Sequence, residues 1–248
     1  MDTFWIALIA FALSFAFAIG GVGSAVILVI FLHWIGFPLH ESKATGLFVN
    51  TASLLSGSIV NIKHRRLDFT LGILLLVSAA FMAPIGAYIS TLMPEKTIII
   101  IFVLFFLFFG NMMLFFDNSK YKDRYRQDRP LLIIFSIGGL AGMFSGLLGV
   151  GAGGVVAPLM SMLGFNPKKI AAITAFVVPF SSLTGFIAYW YMGHINTDLL
   201  LPVGVGGCMG GYLGTNFMQT RLSPVMVKRF IALVFIGVGI GMVFRFIY

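Results

Sequence analysis

The chain has 248 residues, of which 59% are hydrophobic and 10% are charged, and its formal net charge is +8. Soluble domains contain about 45–50% apolar residues, so this composition excludes a soluble globular protein and predicts an all-α integral membrane protein. The basic residues lie in short loops between apolar runs, where they set membrane orientation. The charge therefore does not indicate nucleic-acid binding, and the expected surroundings are membrane lipid.

The first apolar run, residues 4–35, is too long for one ordinary membrane helix, because about 20 residues cross a ~30 Å hydrocarbon core. Gly20, Gly21 and Gly23 stand near its centre, where they predict a break in the helix. Three more apolar segments complete this half of the chain: 44–62, 69–92 and 97–116. A polar stretch rich in lysine and arginine follows them.

The second half repeats this order. Residues 131–163 form another long apolar run, and Gly149, Gly151, Gly153 and Gly154 interrupt it. The segments that follow are 170–192, 199–219 and 225–247. The sequence therefore predicts a second break in the same position of the second half.

The two halves align at a nearly constant offset of about 130 positions, which places Gly21 and Gly23 on Gly151 and Gly153. Such self-similarity predicts two copies of one structural unit. The predicted organisation is a first repeat (1–116), a basic cytoplasmic linker (117–130) and a second repeat (131–248).

The distribution of lysine and arginine distinguishes two topologies. If both long runs crossed the membrane, seven basic residues would lie on one side and nine on the other. If both runs turn back at their glycines, the counts become three and thirteen, as the positive-inside rule requires. We therefore expect eight apolar segments, made of two re-entrant hairpins and six spans, with the second repeat inverted and both termini on the non-cytoplasmic side.

A re-entrant hairpin leaves backbone N–H groups unpaired in the middle of the membrane, where each costs several kcal/mol. A helix N-terminus carries about half a positive charge, so a small anion is the natural partner. The glycines and serine expected to expose this backbone are Gly21, Gly23 and Ser24 in the first copy, and Gly151, Gly153 and Gly154 in the second. The alternative is that these residues only allow close helix packing.

Polar side chains inside the apolar segments could contribute further donors. Asn50, Ser53 and Ser182 are expected around the same anion, and Pro179 is expected to free backbone groups nearby. The alternative is that these groups only form hydrogen bonds between helices. For Lys43 the expected role is anchoring of a loop; it aligns with Ala172, so any charge pairing with substrate would involve one half only.

Two His-x-x-x-Asp sequences occupy equivalent positions, His64 to Asp68 and His194 to Asp198. Both aspartates directly precede apolar helices and are expected to cap them. Inversion would place the two histidines on opposite membrane faces, so no shared metal site is predicted.

The motifs together resemble those of the TauE/SafE sulfite exporter family. The resemblance lies in a glycine-rich broken segment followed by a Gly-Phe-(x)-Pro turn, here Gly36–Pro38 and Gly164–Pro167, and then a Thr-containing helix. The second copy, 148–159, is closer to the family's glycine-rich signature, because the first has Ser24 for the last glycine and Leu28 for the proline. The resemblance implies an inner-membrane carrier of sulfite, sulfonates, thiosulfate or related sulfur oxyanions that works by alternating access.

Two other functions stay open at this stage. A channel for small solutes would need a continuous water-filled path. An intramembrane enzyme would need a nucleophile with a base, or a metal-binding cluster, and neither pattern is found in the spans. We therefore expect no catalytic residue, metal or cofactor. The sequence leaves open which anion is carried, in which direction, and whether the chain forms homo-oligomers.

Overall fold

The computed structural model describes residues 3–19, 21, 23–63, 67–115, 128 and 130–247. Within these ranges the chain forms ten α-helices. They are α1 (Thr3–Ala18), α2 (Ala25–Trp34), α3 (Leu39–Lys63), α4 (Phe69–Thr91), α5 (Glu95–Phe115), α6 (Leu131–Leu148), α7 (Gly153–Met162), α8 (Pro167–Tyr191), α9 (Thr197–Arg221) and α10 (Pro224–Ile247). Most of the predicted linker 117–130, and His64, lie outside the described residues.

In the described part of the chain, five helices are long and apolar enough to cross a membrane: α3, α4, α5, α6 and α8. Four of them cover predicted spans, and the fifth, α6, is the first part of the second long run. In a helix of about 20 apolar residues, the internal backbone N–H and C=O groups form hydrogen bonds with one another. Such a segment can therefore lie in lipid. The chain is therefore a multi-pass helical membrane protein.

Both long apolar runs are interrupted at their glycines. The first run is split into α1 and α2, and the second into α6 and α7. Left-handed backbone occurs at Gly21 (φ 66°), Gly23 (φ 86°), Gly149 (φ 74°) and Gly151 (φ 81°). Glycine adopts these angles without the clash that a Cβ would cause, so the sequence itself dictates where each helix breaks.

The helices of the two halves pack on one another in equivalent pairs. The first helix of each half lies on the fourth helix of the other half, α1 on α9 and α6 on α4. The third helix of each half, α3 or α8, also contacts the other half's fourth helix, and α3 and α8 contact each other. Each half therefore depends on the other for most of its packing.

Glycine contacts give the direction of these packed helices. On α9, Gly206 and Gly210 lie against Ala7 and Phe11 of α1, so α1 and α9 run in parallel. In the same way Gly207 and Gly211 of α9 contact Val49 and Ser53 of α3, so α9 and α3 are also parallel. As a result, α1 and α3 run in the same direction, although α2 lies between them in sequence.

The second half shows the same relation. Gly138, Gly142 and Gly146 of α6 contact Leu75, Ala79 and Ala83 of α4, which makes α6 and α4 parallel. Helix α8 also runs parallel to α4, since Lys169 pairs with Asp68 near the start of both helices and Phe176 meets Gly72 further on. Hence α6 and α8 share one direction.

The central pair, α3 and α8, is antiparallel. Leu47, early in α3, lies beside Gly185, late in α8. Ser58, late in α3, donates to the Ala175 carbonyl, earlier in α8. The two equivalent third helices thus cross the centre of the molecule in opposite directions.

Of the two predicted N-caps, one is confirmed and one is wrong. Asp68 precedes α4, and its carboxylate accepts a hydrogen bond from the Leu71 N–H at 3.4 Å. Asp198 instead lies inside the first turn of α9, whose N-cap is Asn196. The helix begins before the aspartate because Asn196 already supplies the extended backbone that a cap position needs.

Candidate substrate site

Asn50 of α3 connects the two helix breaks. Its side chain is fully buried. Its Oδ1 accepts from the Ala25 N–H at 3.1 Å, at the start of α2, and its Nδ2 donates to the Val150 carbonyl at 3.2 Å, in the second break. A Cβ on Gly23 or on Gly151 would overlap this amide. The glycines therefore allow both breaks to approach one side chain. This agrees with the alternative that the glycines serve close packing.

The first break is held by contacts within the protein. The hydroxyl oxygens of Ser24 and Ser14 lie 2.8 Å apart, and both residues are buried. Gly21 packs against α8, where a Cβ would lie 2.5 Å from both the Ala171 carbonyl oxygen and the Thr174 hydroxyl oxygen. Together with Asn50, these neighbours leave the first break little room for a ligand.

The second break has donors that the protein does not use. Helix α7 begins without a side-chain cap. Among the described residues, no acceptor is assigned to the backbone N–H groups of Gly151, Ala152 and Gly153. The Ser182 hydroxyl of α8 is fully buried and also has no partner in that part of the chain. A Cβ on Gly151 would lie 3.3 Å from the Ser182 oxygen, so the Ser182 hydroxyl lies beside the second break.

Three other predicted site residues contact neighbouring helices. The Ser53 hydroxyl faces α9, 2.5 Å from where a Cβ on Gly211 would stand. Gly154 faces the aromatic ring of Phe105, and a Cβ on Gly154 would lie 3.2 Å from that ring.

The third is Pro179 of α8. Having no N–H, it frees the carbonyl of Ala175 one turn earlier, and the Ser58 hydroxyl donates to that carbonyl at 2.5 Å. The Pro179 carbonyl in turn accepts from Thr51 at 3.4 Å. Both backbone groups are therefore satisfied between α3 and α8.

Lys43 was expected to anchor a loop, and this prediction is wrong. Helix α3 begins at Leu39, so Lys43 lies in its second turn and is fully buried. Its Nζ donates to the Ser90 hydroxyl of α4 at 2.6 Å. Its aliphatic stem lies against Gly149, where a Cβ would be 2.7 Å from the Lys43 Cβ. A buried lysine thus contacts the residue that opens the second break.

Polar and aromatic residues surround Lys43 at this end of the helices. The rings of His40 and His194 stack with centroids 4.8 Å apart, and the Nδ1 of His40 is buried without a partner among the described residues. The Tyr189 hydroxyl donates to the Gly146 carbonyl at 3.0 Å. We call Lys43, His40, Ser90, Tyr189 and His194 the lysine cluster. No sequence motif indicated it, because its members come from three helices and a loop.

A chain of ten helices with two glycine breaks, joined by a buried amide, has the discontinuous helices on which membrane transporters build their substrate sites. The family model for the sulfite exporter TauE/SafE family matches residues 6–242, and the chain belongs to this family. It is therefore a membrane transporter, and the family expected from the sequence motifs is confirmed.

Similar proteins with transporter or TauE/SafE names support the assignment. The chain is 29% identical over 217 residues to "Probable membrane transporter protein YunE" of Bacillus subtilis, covering 78% of this chain and 77% of that protein. It is 25% identical over 226 residues to "Probable membrane transporter protein MJ0441" of Methanocaldococcus jannaschii, covering 83% and 80%. "Sulfite exporter TauE/SafE family protein 5" of Arabidopsis thaliana is 32% identical over 108 residues, 43% of this chain and 24% of that protein.

Proposed function

We propose that this transporter carries a small sulfur oxyanion, such as sulfite, thiosulfate or an organosulfonate, and binds it at the second helix break. The observation that carries the proposal is the group of unused donors at Gly151, Ala152, Gly153 and Ser182. Buried polar groups are normally hydrogen-bonded, so a ligand that accepts several hydrogen bonds at once would complete this site. The sulfur chemistry rests on the family name alone.

The charge distribution favours an anion over a cation. The groups at the break that have no described partner, three backbone N–H groups and the Ser182 hydroxyl, can all donate, and the start of α7 adds the partial positive charge of a helix N-terminus. The described acidic residues all lie at or before helix starts, away from the break: Glu41, Asp68, Glu95, Asp128 and Asp198. A cation would find no carboxylate at this site, whereas an anion meets no repulsion from one.

The proposed transport mechanism is alternating access between two inverted repeats, 1–116 and 131–248. The antiparallel crossing of α3 and α8 supports inversion, because these helices are equivalent in the two repeats. The shared direction of α1 and α3, and of α6 and α8, supports re-entrant hairpins in the intervening breaks. Rocking of one such repeat against the other would expose a central site to each side in turn.

We further propose that the chain lies in the inner membrane with both termini outside the cytoplasm and the basic linker 117–130 inside. This orientation follows the excess of lysine and arginine on one side of the inverted arrangement. Tags fused to the two termini should be accessible to a membrane-impermeant reagent in intact cells. Labelling of both termini only after the cells are opened would contradict the proposed orientation.

The binding proposal can be tested with purified protein in detergent. A ligand that binds only the native state raises the apparent melting temperature, so sulfite, thiosulfate, sulfoacetate, taurine, sulfate and simple carboxylates can be compared directly. We expect at least one sulfur oxyanion to stabilise the protein more than any carboxylate does. The proposal fails if no oxyanion stabilises it, or if neutral solutes do so equally.

Adjacent serines provide a matched pair of variants. Ser181 and Ser182 are both fully buried, but the Ser181 hydroxyl donates to the Val178 carbonyl of its own helix at 3.1 Å, while Ser182 is unpartnered. Since a hydrogen bond to a charged group contributes about 1.5–3 kcal/mol, Ser182→Ala should weaken binding about 10- to 100-fold. Ser181→Ala should leave the affinity unchanged. Equal affinities in the two variants would remove Ser182 from the site.

A further inference from the structure

Lys43 is an ionisable residue in an environment that normally excludes charge. It is fully buried, and α3 is among the helices suited to span the membrane. Moving a charged group from water into a protein interior costs several kcal/mol unless a partner compensates, and ionisable residues inside spans are commonly functional for this reason. The role of Lys43 therefore depends on which groups could offset the cost of burying its charge.

The protein itself compensates Lys43 only in part. An ammonium group has three N–H donors, and within the described chain the one hydrogen bond recorded for the Lys43 amine goes to the neutral Ser90 hydroxyl. Glu95 is half-exposed, and its carboxylate pairs with His33 at 3.1 Å. No described carboxylate lies within ion-pairing distance of Lys43.

A lysine at the start of α8 shows the contrast. Lys169 is paired with the Asp68 carboxylate at 2.9 Å, and its side chain is 27% exposed. This cation has a fixed counter-charge and access to solvent. Lys43 has no ion-paired carboxylate among the described residues and no access to solvent, so a bound anion could supply the counter-charge that it lacks.

The position of Lys43 indicates which ligand would supply that charge. Its stem packs on Gly149, directly before the second break, so the side chain is anchored beside the proposed site. His40, one turn earlier on α3, adds a buried nitrogen without a described partner, and its ring stacks on His194. Polar groups thus extend from the ends of the helices to the break.

We infer that Lys43 provides the counter-charge for the transported anion. In the empty protein its amine rests on Ser90, and an anion bound at the second break replaces Ser90 as its acceptor. This inference rests on the proposed function and deepens it. It also predicts substrate choice: a dianion such as thiosulfate should depend on Lys43 more strongly than taurine, whose ammonium group cancels its sulfonate charge.

The test compares two variants that each remove one positive charge. Lys43→Met keeps the length and apolar stem of the side chain, and Lys169→Met removes the ion-paired lysine as a control. From the strength of charge-assisted hydrogen bonds we expect Lys43→Met to bind thiosulfate roughly 10- to 100-fold more weakly. Taurine binding should change less, and Lys169→Met should match the wild type with both ligands.

Ser90→Ala gives a second and opposite expectation, independent of whether Lys43→Met folds. Removing the hydroxyl takes away the acceptor that competes with the anion for the Lys43 amine. Thiosulfate should therefore bind more tightly to Ser90→Ala than to the wild type. A purely structural hydrogen bond between Lys43 and Ser90 would lower the melting temperature of this variant without tightening binding.

The outcomes separate this inference from the proposed function. If oxyanions stabilise the wild type while Lys43→Met binds thiosulfate equally well, the inference is wrong and the proposed function stands. The inference is also wrong if Ser90→Ala fails to bind more tightly. If no oxyanion stabilises the wild type, the proposed function fails and takes this inference with it.

Discussion

The two helix breaks share left-handed glycines and a common neighbour, Asn50, but differ in how their polar groups are satisfied. At the first break, Ser24 is bonded to Ser14, and Asn50 accepts the N–H at the start of α2. At the second break, Asn50 donates to a carbonyl and leaves the nearby N–H groups without acceptors in the described structure. The Asn50 amide therefore accepts a backbone N–H at the first break, whereas at the second break it only donates to a carbonyl.

This difference indicates how a duplicated motif can take on two roles. A buried donor without an acceptor costs about 1–3 kcal/mol. The first break reduces that cost by pairing Ser24 with Ser14 and the Ala25 N–H with Asn50, although among the described residues no acceptor is assigned to the N–H groups of Gly23 and Ser24. The second break keeps its donors unused, as a binding site must. The substitution of Ser24 for a glycine in the first copy agrees with this division, because its hydroxyl makes the contact with Ser14.

A large effect is expected where the two breaks depend on the same side chain. Asn50→Leu removes both hydrogen bonds and leaves a buried N–H and a buried carbonyl unpaired, so we expect about 2–5 kcal/mol of lost stability. Thermal unfolding in detergent measures this loss. Asn111→Leu is the control, because Asn111 is exposed and bonds only the Leu107 carbonyl of its own helix. Equal melting temperatures of the two variants would show that Asn50 does not hold the breaks together.

A comparable effect is expected for alanine in place of one glycine at the second break. Gly149 has φ 74°, and a Cβ there would lie 2.7 Å from the Lys43 side chain. The left-handed conformation costs about 1–2 kcal/mol for a non-glycine residue, and overpacking adds about 1–3 kcal/mol.

Gly36 is the control for this variant, since its φ is 105° but a Cβ would meet no atom within 4 Å. Gly36→Ala should therefore lose only the conformational part. If Gly149→Ala melts at the same temperature as Gly36→Ala, the close contact between Lys43 and the second break is not present in the native protein.

Sequence patterns located the breaks because glycine conformation is a local property. An apolar run longer than a span, with glycines at its centre, specifies a break without reference to any other helix, and both breaks occur there. The family was likewise readable from the motif and its repetition. Most helix positions followed from apolar length alone.

The contacts of the site could not be read in the same way. Asn50 and Val150 are distant in sequence, and only the packing of α3 against the second break brings them together. Ser181 and Ser182 are neighbours of the same type, yet one is satisfied by its own helix and the other is not. Lys43 was misassigned because its burial depends on α3 beginning at Leu39, and boundaries are the least certain part of a sequence-based prediction.

The smallest expected effect gives the most direct comparison of the two breaks. Ser24→Ala removes one buried hydroxyl contact, with Ser14, so we expect about 1 kcal/mol of lost stability and no change in thiosulfate affinity. Ser182→Ala should do the reverse: its hydroxyl has no described partner to lose, so stability should hold while affinity falls. Melting temperatures measured with and without thiosulfate report both quantities in one titration. If Ser24→Ala weakens binding as much as Ser182→Ala, the anion contacts both breaks and the proposed division of roles is wrong.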